Sequence, residues 1–198
     1  MTDTPTTTRL PAARRRKQLL TVALQVFADR GFHPTSMNDV AEAAGVTKPV
    51  LYQHFSSKRE LYIELLDEVG GQLRDTIGKA TSEAGSPREQ VEAGVRAYFR
   101  FVAEHQAAFQ ILFGGGTRRD EEFALHVNGV EESIADAIAG LIDIEGLDSD
   151  SRRLLAHGIV GLAEGTSRHW LRAGSTDPDK LAAQVAELVW AGLRGIRS

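Results

Sequence analysis

Apolar residues recur along most of this chain with the spacing of a helix face, and the strict alternation of a half-buried strand does not occur. In the first such stretch Leu20, Ala23, Leu24 and Phe27 fall at i, i+3, i+4 and i+7, which makes one buried stripe. The helix predicted there runs from about Pro11 to Arg30 and stops at Gly31, a residue suited to the position just past a helix end. Further helix starts are marked by a hydroxyl followed three residues later by a carboxylate, the pair that satisfies free backbone N–H groups: Ser36 with Asp39, Ser57 with Glu60, Ser86 with Glu89, and Thr117 with Asp120. Pro87 suits a first helical position, and Thr176-Asp177-Pro178 reads as another start. The pattern predicts helices over 37–44, 47–54, 58–83, 87–105, 106–113, 118–143, 149–173 and 177–194, hence an all-α fold. Residues 1–10, rich in Thr, read as disordered. Gly114-Gly115-Gly116 and Gly174-Ser175 read as loops. The division expected is a three-helix head over residues 11–57 and a body of about six helices over residues 58–198, joined at Phe55–Lys58 where a long connecting helix begins.

Residues 36–55 hold the strongest local signal. Two helices crossing over a short turn need a small core, a small residue at the crossing and a turn residue that tolerates positive φ. Val40, Ala44, Val46, Leu51 and Phe55 supply the core, Ala41 the crossing and Gly45 the turn. Thr47 is placed to cap the second helix, and Pro49 falls in its first turn, where a missing N–H does no harm. What is left facing outward suits nucleic acid. Lys48 can donate to guanine O6 and N7, and Pro49 and Val50 can meet a thymine methyl. Tyr52, His54 and Lys58 can bond phosphates, and the helix start at Thr35 and Ser36 offers backbone N–H groups to another. Arg14 and Arg15, in the run Arg14–Lys17, form a basic flank. The plainer alternatives are a half-buried aromatic for Tyr52, a helix-end cap for His54 and a solvated helix start for the basic run.

Charge supports that division of labour. The 198 residues carry a net charge of −4. Residues 1–60 hold nine Lys or Arg against five Asp or Glu, and the rest hold fourteen against twenty-two. A basic head on an acidic body expects a polyanion at one end only. Cysteine is absent, which excludes disulfide scaffolds and thiolate catalysis. No apolar run approaches the roughly 20 residues of a membrane span, and the polar, basic start has no apolar stretch behind it. A cytoplasmic setting without membrane contact is expected.

Residues 14–61 closely resemble the DNA-binding head of the tetracycline-repressor-like (TetR) family. The likeness is densest over Gly45–Leu61, which fills every position of V-[ST]-x-x-x-[LI]-Y-x-[HY]-F-x-x-K-x-x-L. The resemblance implies a homodimer whose last two long helices form a four-helix bundle with the partner's. It also implies a ligand-responsive transcriptional regulator, read here as a repressor, on a palindromic operator. Short stretches of the body, Tyr98–Phe101, Gln110–Phe113, Gly158–Leu162, Arg168–Leu171 and Trp190–Leu193, are similar to the family's actinobacterial regulators of fatty-acid biosynthesis. That likeness implies long-chain acyl-coenzyme A as the effector.

The body's own residues agree with a sensor. Leu61, Tyr62, Leu65, Leu66 and Val69 line one face of the connecting helix, and Tyr98, Phe99, Phe101, Val102, Phe109, Leu112, Phe113 and Phe123 concentrate rings in the helices that follow. A helical domain can leave an apolar cavity among such residues; for any one of them an ordinary packed core is the simpler account. Arg168, His169 and Trp170 could flank a cavity mouth and meet an anionic head group, or sit at a dimer contact. Gly158, Gly161 and Gly165 share one helix at a cost of about 1 kcal/mol each relative to Ala, which close approach of another helix would explain. Leu181, Val185, Leu188, Gly192 and Leu193, with Trp190, make the final helix apolar on more than one face. Isologous packing of these two helices against a second copy is the economical arrangement.

No P-loop, GxSxG, HExxH or paired-carboxylate motif is present, so no enzyme, cofactor or metal site is expected. His157 and Glu164 are the one weak metal pair. The competing reading is a helical protein-interaction module without sequence-specific DNA binding.

Overall fold

The computed structural model describes residues 11–174 and 177–196; the expectations placed on residues 1–10, Ser175 and Thr176 lie outside them. Helices make up the described chain: α1 (Ala12–Arg30), α2 (Met37–Ala43), α3 (Lys48–Tyr52), α4 (Lys58–Ser82), α5 (Pro87–Glu104), α6 (Gln106–Phe113), α7 (Glu121–Leu141), α8 (Ser149–Ala173) and α9 (Pro178–Gly195). No strand occurs among the described residues. Two compact units divide inside α4, Met1–Leu65 and Leu66–Ser198, further along than the junction read from sequence.

The helix boundaries follow the capping chemistry. Ser36 and Asp39 form the full reciprocal box, Ser36 N donating to Asp39 Oδ2 at 2.7 Å and Asp39 N to Ser36 Oγ at 3.2 Å. The Ser36 hydroxyl and N–H together hold the Asp39 carboxyl below its ordinary range. Glu60 N donates to Ser57 Oγ and Glu89 N to Ser86 Oγ, at 3.0 and 3.3 Å. The start expected at Thr117 is displaced. Its hydroxyl donates instead to the Ile111 carbonyl at 2.7 Å, residues Thr117–Arg119 make one 3-10 turn, and Asp120 caps α7 by accepting from Phe123 N. Asp148 and Asp177 cap α8 and α9 in the same way.

In the first unit α1 buries Leu19, Ala23, Val26 and Phe27. The stripe is rotated from the one expected, leaving Leu20 and Leu24 half-buried. Val40, Ala41, Ala44, Leu51 and Phe55 fill the space between α2 and α3, whereas Val46, expected in that core, is half-buried in the turn. Phe27, Phe32 and Tyr62 form a ring cluster with centroids 5.0–6.1 Å apart, Tyr62 edge-on to both phenylalanines and the phenylalanines stacked on each other. In the second unit α5 lies along α9 and α7 along α8. Arg100 clamps α9 to α5 with two bonds to Asp179 at 2.7 and 2.9 Å. Phe99, Val102, Leu112, Phe123 and Val127 form the dry centre. At Gly70 an added Cβ would stand 2.3 Å from a Val130 methyl, so only glycine admits that approach of α4 and α7.

The turn between α2 and α3 depends on Gly45, whose φ is +63°. Nothing lies within 4 Å of where its Cβ would be, so the cost of substitution there is the backbone's alone. Gly45→Ala is expected to destabilise the first unit by about 1–2 kcal/mol, and Gly45→Asn by less. Thermal unfolding followed by circular dichroism measures both; an unchanged midpoint for Gly45→Ala would contradict the account.

Candidate functional site

The exposed side of α3 is built from behind. Leu51 and Phe55 are wholly buried. Arg16 of α1 donates to the His54 carbonyl at 2.5 Å, pairs with Glu64, and lays its guanidinium 4.4 Å from the Phe55 ring centre. These contacts leave Lys48 and Pro49 exposed, Val50 half-buried and Tyr52 44% exposed, an unusual fraction for a large aromatic. Lys48 Nζ stands 5.8 Å from the Tyr52 ring centre, so a cation and a phenol are presented side by side. Thr47 begins α3 by backbone conformation, without the side-chain cap expected of it, and is exposed. Arg14 is exposed, and Arg15 bonds Gln18 at 2.9 Å.

Two residues read as phosphate contacts, Lys58 and Ser36, spend the donors expected of them within the chain, and Thr35 spends its hydroxyl there. Thr35 is buried and donates its hydroxyl to the Gly31 carbonyl at 2.8 Å. Lys58 donates to the carbonyls of Phe32, His33 and Thr35 at 2.8, 3.3 and 2.8 Å and sits over the Phe32 ring, so its ammonium ties the chain between α1 and α2 to the start of α4. At Ser36 the N–H and the hydroxyl both go to Asp39. His54 is half-buried with its ring against Phe55, 6.4 Å between centres.

The second unit contains a cavity of about 420 Å³ between α4, α5, α7, α8 and α9, within the range of small-molecule sites. Of the residues read as ligand contacts, Tyr98 and Phe113 line it. Leu66, Val69, Phe99, Val102, Phe109, Leu112 and Phe123 do not; they are buried among one another as packed core. Arg168, His169 and Trp170 are not part of its lining: Arg168 pairs with the wall residue Glu164 at 2.8 Å, Trp170 stacks edge-on against Phe99, and His169 is exposed. The wall consists instead of smaller aliphatic residues, with Ile77, Val91, Val95, Ile138, Ile159 and Val160 prominent, and it includes Trp190.

Three carboxylates interrupt that wall, the exposed Asp143 and the more enclosed Glu131 and Glu164. Glu131 and Glu164 both pair with Arg118, at 2.5 and 2.8 Å. Glu164 is 7% exposed and stays on its arginines rather than joining His157, which faces Glu132 at 3.5 Å. Burial pushes the Glu131 carboxyl above its ordinary range, against the pull of Arg118. Glu131, Ile134 and Ile138 fall at i, i+3 and i+7, so a carboxylate in an apolar stripe was the sequence signal for this feature.

On α8, Gly158, Gly161 and Gly165 are exposed with open space where a Cβ would stand, in line with Leu154, which is 74% exposed. On α9, Leu188 is 59% exposed, and Ala191, Gly192 and Gly195 are exposed around it. Leu181 is half-buried. Val185 is buried within its own chain and Trp190 faces the cavity, so the structure assigns neither to that open face.

The sequence pattern described as Bacterial regulatory proteins, tetR family, matches residues 19–65, and that of the Tetracyclin repressor-like C-terminal domain matches residues 87–192. The chain belongs to the TetR family. It is a ligand-responsive, DNA-binding transcriptional regulator. It is 35% identical over 187 residues, 93% of this chain and 85% of the other, to the HTH-type transcriptional activator FasR of Mycolicibacterium smegmatis. A TetR-like regulator from Rhodococcus sp. RHA1 superposes with a TM-score of 0.79 at 30% identity, covering 95% of this chain and all of that one. FadR of Bacillus subtilis, solved in complex with stearoyl-CoA, shares the fold at a TM-score of 0.78 and 22% identity over 91% of this chain and 99% of that one. No helix among the described residues is long and apolar enough to cross a membrane.

Within this TetR head, Lys58 and Lys48 are expected to differ in kind. Lys58→Ala removes three charge-assisted bonds to carbonyls and should lower stability by about 1–3 kcal/mol. Lys48→Ala, on an open surface, should leave it within about 0.5 kcal/mol of the parent. Thermal midpoints decide this, and equal midpoints for the two variants would contradict the assignment of Lys58.

Proposed function

We propose that residues 11–57 bind a palindromic operator as part of a homodimer, and that residues 58–198 hold the dimer together and bind a small apolar effector of the fatty acyl-coenzyme A class. The observation that carries this reading is the pairing of a polar, outward α3 with an apolar cavity in the same chain. Lys48 reaches for guanine, Pro49 and Val50 for a thymine methyl, and Thr47, Tyr52 and Arg14 for phosphates. The glycine-lined side of α8 and the Leu188 side of α9 are the surfaces that a second copy would cover. Two copies then set their α3 helices about 34–36 Å apart, or a multiple, to meet successive major grooves.

The effector class is supported by the aliphatic wall of the cavity, by the whole-length likeness to FasR, and by the fold shared with a regulator that binds stearoyl-CoA. The reading involves no catalytic step and places the chain in the cytoplasm with its operator. Repression was the expectation from sequence, and the relative FasR is named an activator. One head serves either sign, because a dimer seated over a promoter blocks polymerase and one seated beside it can recruit polymerase.

A gel shift with the DNA upstream of the chain's own gene, at a stated salt concentration, tests the proposal. The parent is expected to retard that DNA, and Lys48→Ala and Tyr52→Ala to weaken binding by roughly 1–3 kcal/mol each. Stearoyl-CoA should change the apparent affinity, the coupling being about 1–3 kcal/mol. Parent and variants migrating alike would remove the DNA reading, and indifference to the thioester would remove this effector class.

A further inference from the structure

The charged residues of the cavity lining fall into two groups, and only one group is already paired. Pro87 opens α5, Leu141 closes α7, Asp143 follows it, and Arg194 stands in the last turn of α9. All four line the cavity and are exposed, so the mouth lies where these helix ends meet. Glu131 and Glu164 are more enclosed and are held by Arg118, with Arg168 also on Glu164; neither arginine lines the cavity. Arg194 is the one cationic side chain in the lining among the described residues. Arg88, Arg100 and Arg153 of the same unit each hold a carboxylate, whereas the Arg194 guanidinium makes no hydrogen bond or ion pair among the described residues.

A long-chain amphiphile could enter such a cavity in either direction. With its anionic group innermost, it would meet two enclosed carboxylates, and a charge taken out of water without a partner is strongly disfavoured. Entering tail first, it lays hydrocarbon on the aliphatic wall and keeps its anionic group at the mouth, where Arg194 is. We propose that Arg194 recognises the anionic head of the effector, a carboxylate or a phosphate oxygen, and that Asp143 at the same mouth limits how tightly that head is held. A guanidinium suits either anion, because its fork of N–H donors matches both. The inference rests on the effector reading above and assigns the head-group contact that the reading leaves open.

The test measures hexadecanoyl-CoA, hexadecanoic acid and uncharged hexadecan-1-ol, each radiolabelled and below its self-association concentration, by equilibrium dialysis against the full-length chain. Arg194→Gln should loosen the anionic ligands about three- to fivefold, the upper range for an exposed ion pair, and leave the alcohol within about twofold. A loss for both anions places the carboxylate end of the chain at Arg194, and a loss for the thioester alone places a phosphate there; either supports the assignment. Asp143→Asn should tighten the same anions without moving the alcohol, and higher salt should shrink both effects. Arg194 bonds nothing in the free protein, so the thermal midpoint of Arg194→Gln should match the parent's. Equal losses for all three ligands, no loss for any, or weaker anion binding in Asp143→Asn would overturn the assignment and leave the apolar-effector reading standing. Binding of none of the three by the parent would overturn both.

Discussion

A helix of five residues has no stability of its own in water, because fixing its first turn costs more than its few bonds return. α3 is such a helix, and it is the element that the proposed function sends into a groove. Its shape is therefore borrowed from its surroundings. Leu51 and Phe55 are sealed against α1 and α2, Arg16 holds the carbonyl at its end, and Gly45 sets the turn by which it is reached. The exposed pair Lys48 and Tyr52 is a consequence of that anchoring. Arg16 and Lys58 look like surface cations in the sequence, yet both spend their donors on backbone carbonyls inside the unit. A basic head is thus basic for two reasons, and only part of its charge is left to meet a polyanion.

The body inverts this economy. Protein interiors are close-packed, and unfilled volume weakens them. Phe99, Val102, Leu112 and Phe123 follow that rule, while a few ångströms away a cavity of about 420 Å³ does not. Unfilled space lined by Ile and Val is a cost that a bound molecule would repay. The arginines around Glu131 and Glu164 keep two carboxylates tolerable in that setting, since a charge taken out of water must be paired.

Helix positions were legible in the sequence because capping residues act locally: Ser36, Ser57, Ser86 and Asp177 each mark a start that the structure keeps. Thr117 misled because its hydroxyl found the Ile111 carbonyl, a partner on the preceding helix that spacing does not reveal. The turn glycine and the outward residues of α3 were legible for the same local reason. The cavity was not. Large rings attracted attention, but rings pack well and most of them became core. The wall is made of β-branched and small residues whose other faces are also buried, and periodicity does not distinguish a side chain facing a neighbour from one facing a void. Trp190 and Val185 illustrate the same limit on α9, where one apolar helix serves a cavity, a core and an open face.

The central claim is that two copies of α3, held in this way, read a duplex with two-fold symmetry. Hydroxyl-radical footprinting of the chain's own upstream DNA measures that arrangement directly. The account predicts paired protected segments related by a dyad, their centres one helical turn of about 10–10.5 base pairs apart or a multiple of it. A single protected segment without a dyad, or uniform protection that ignores sequence, would contradict it.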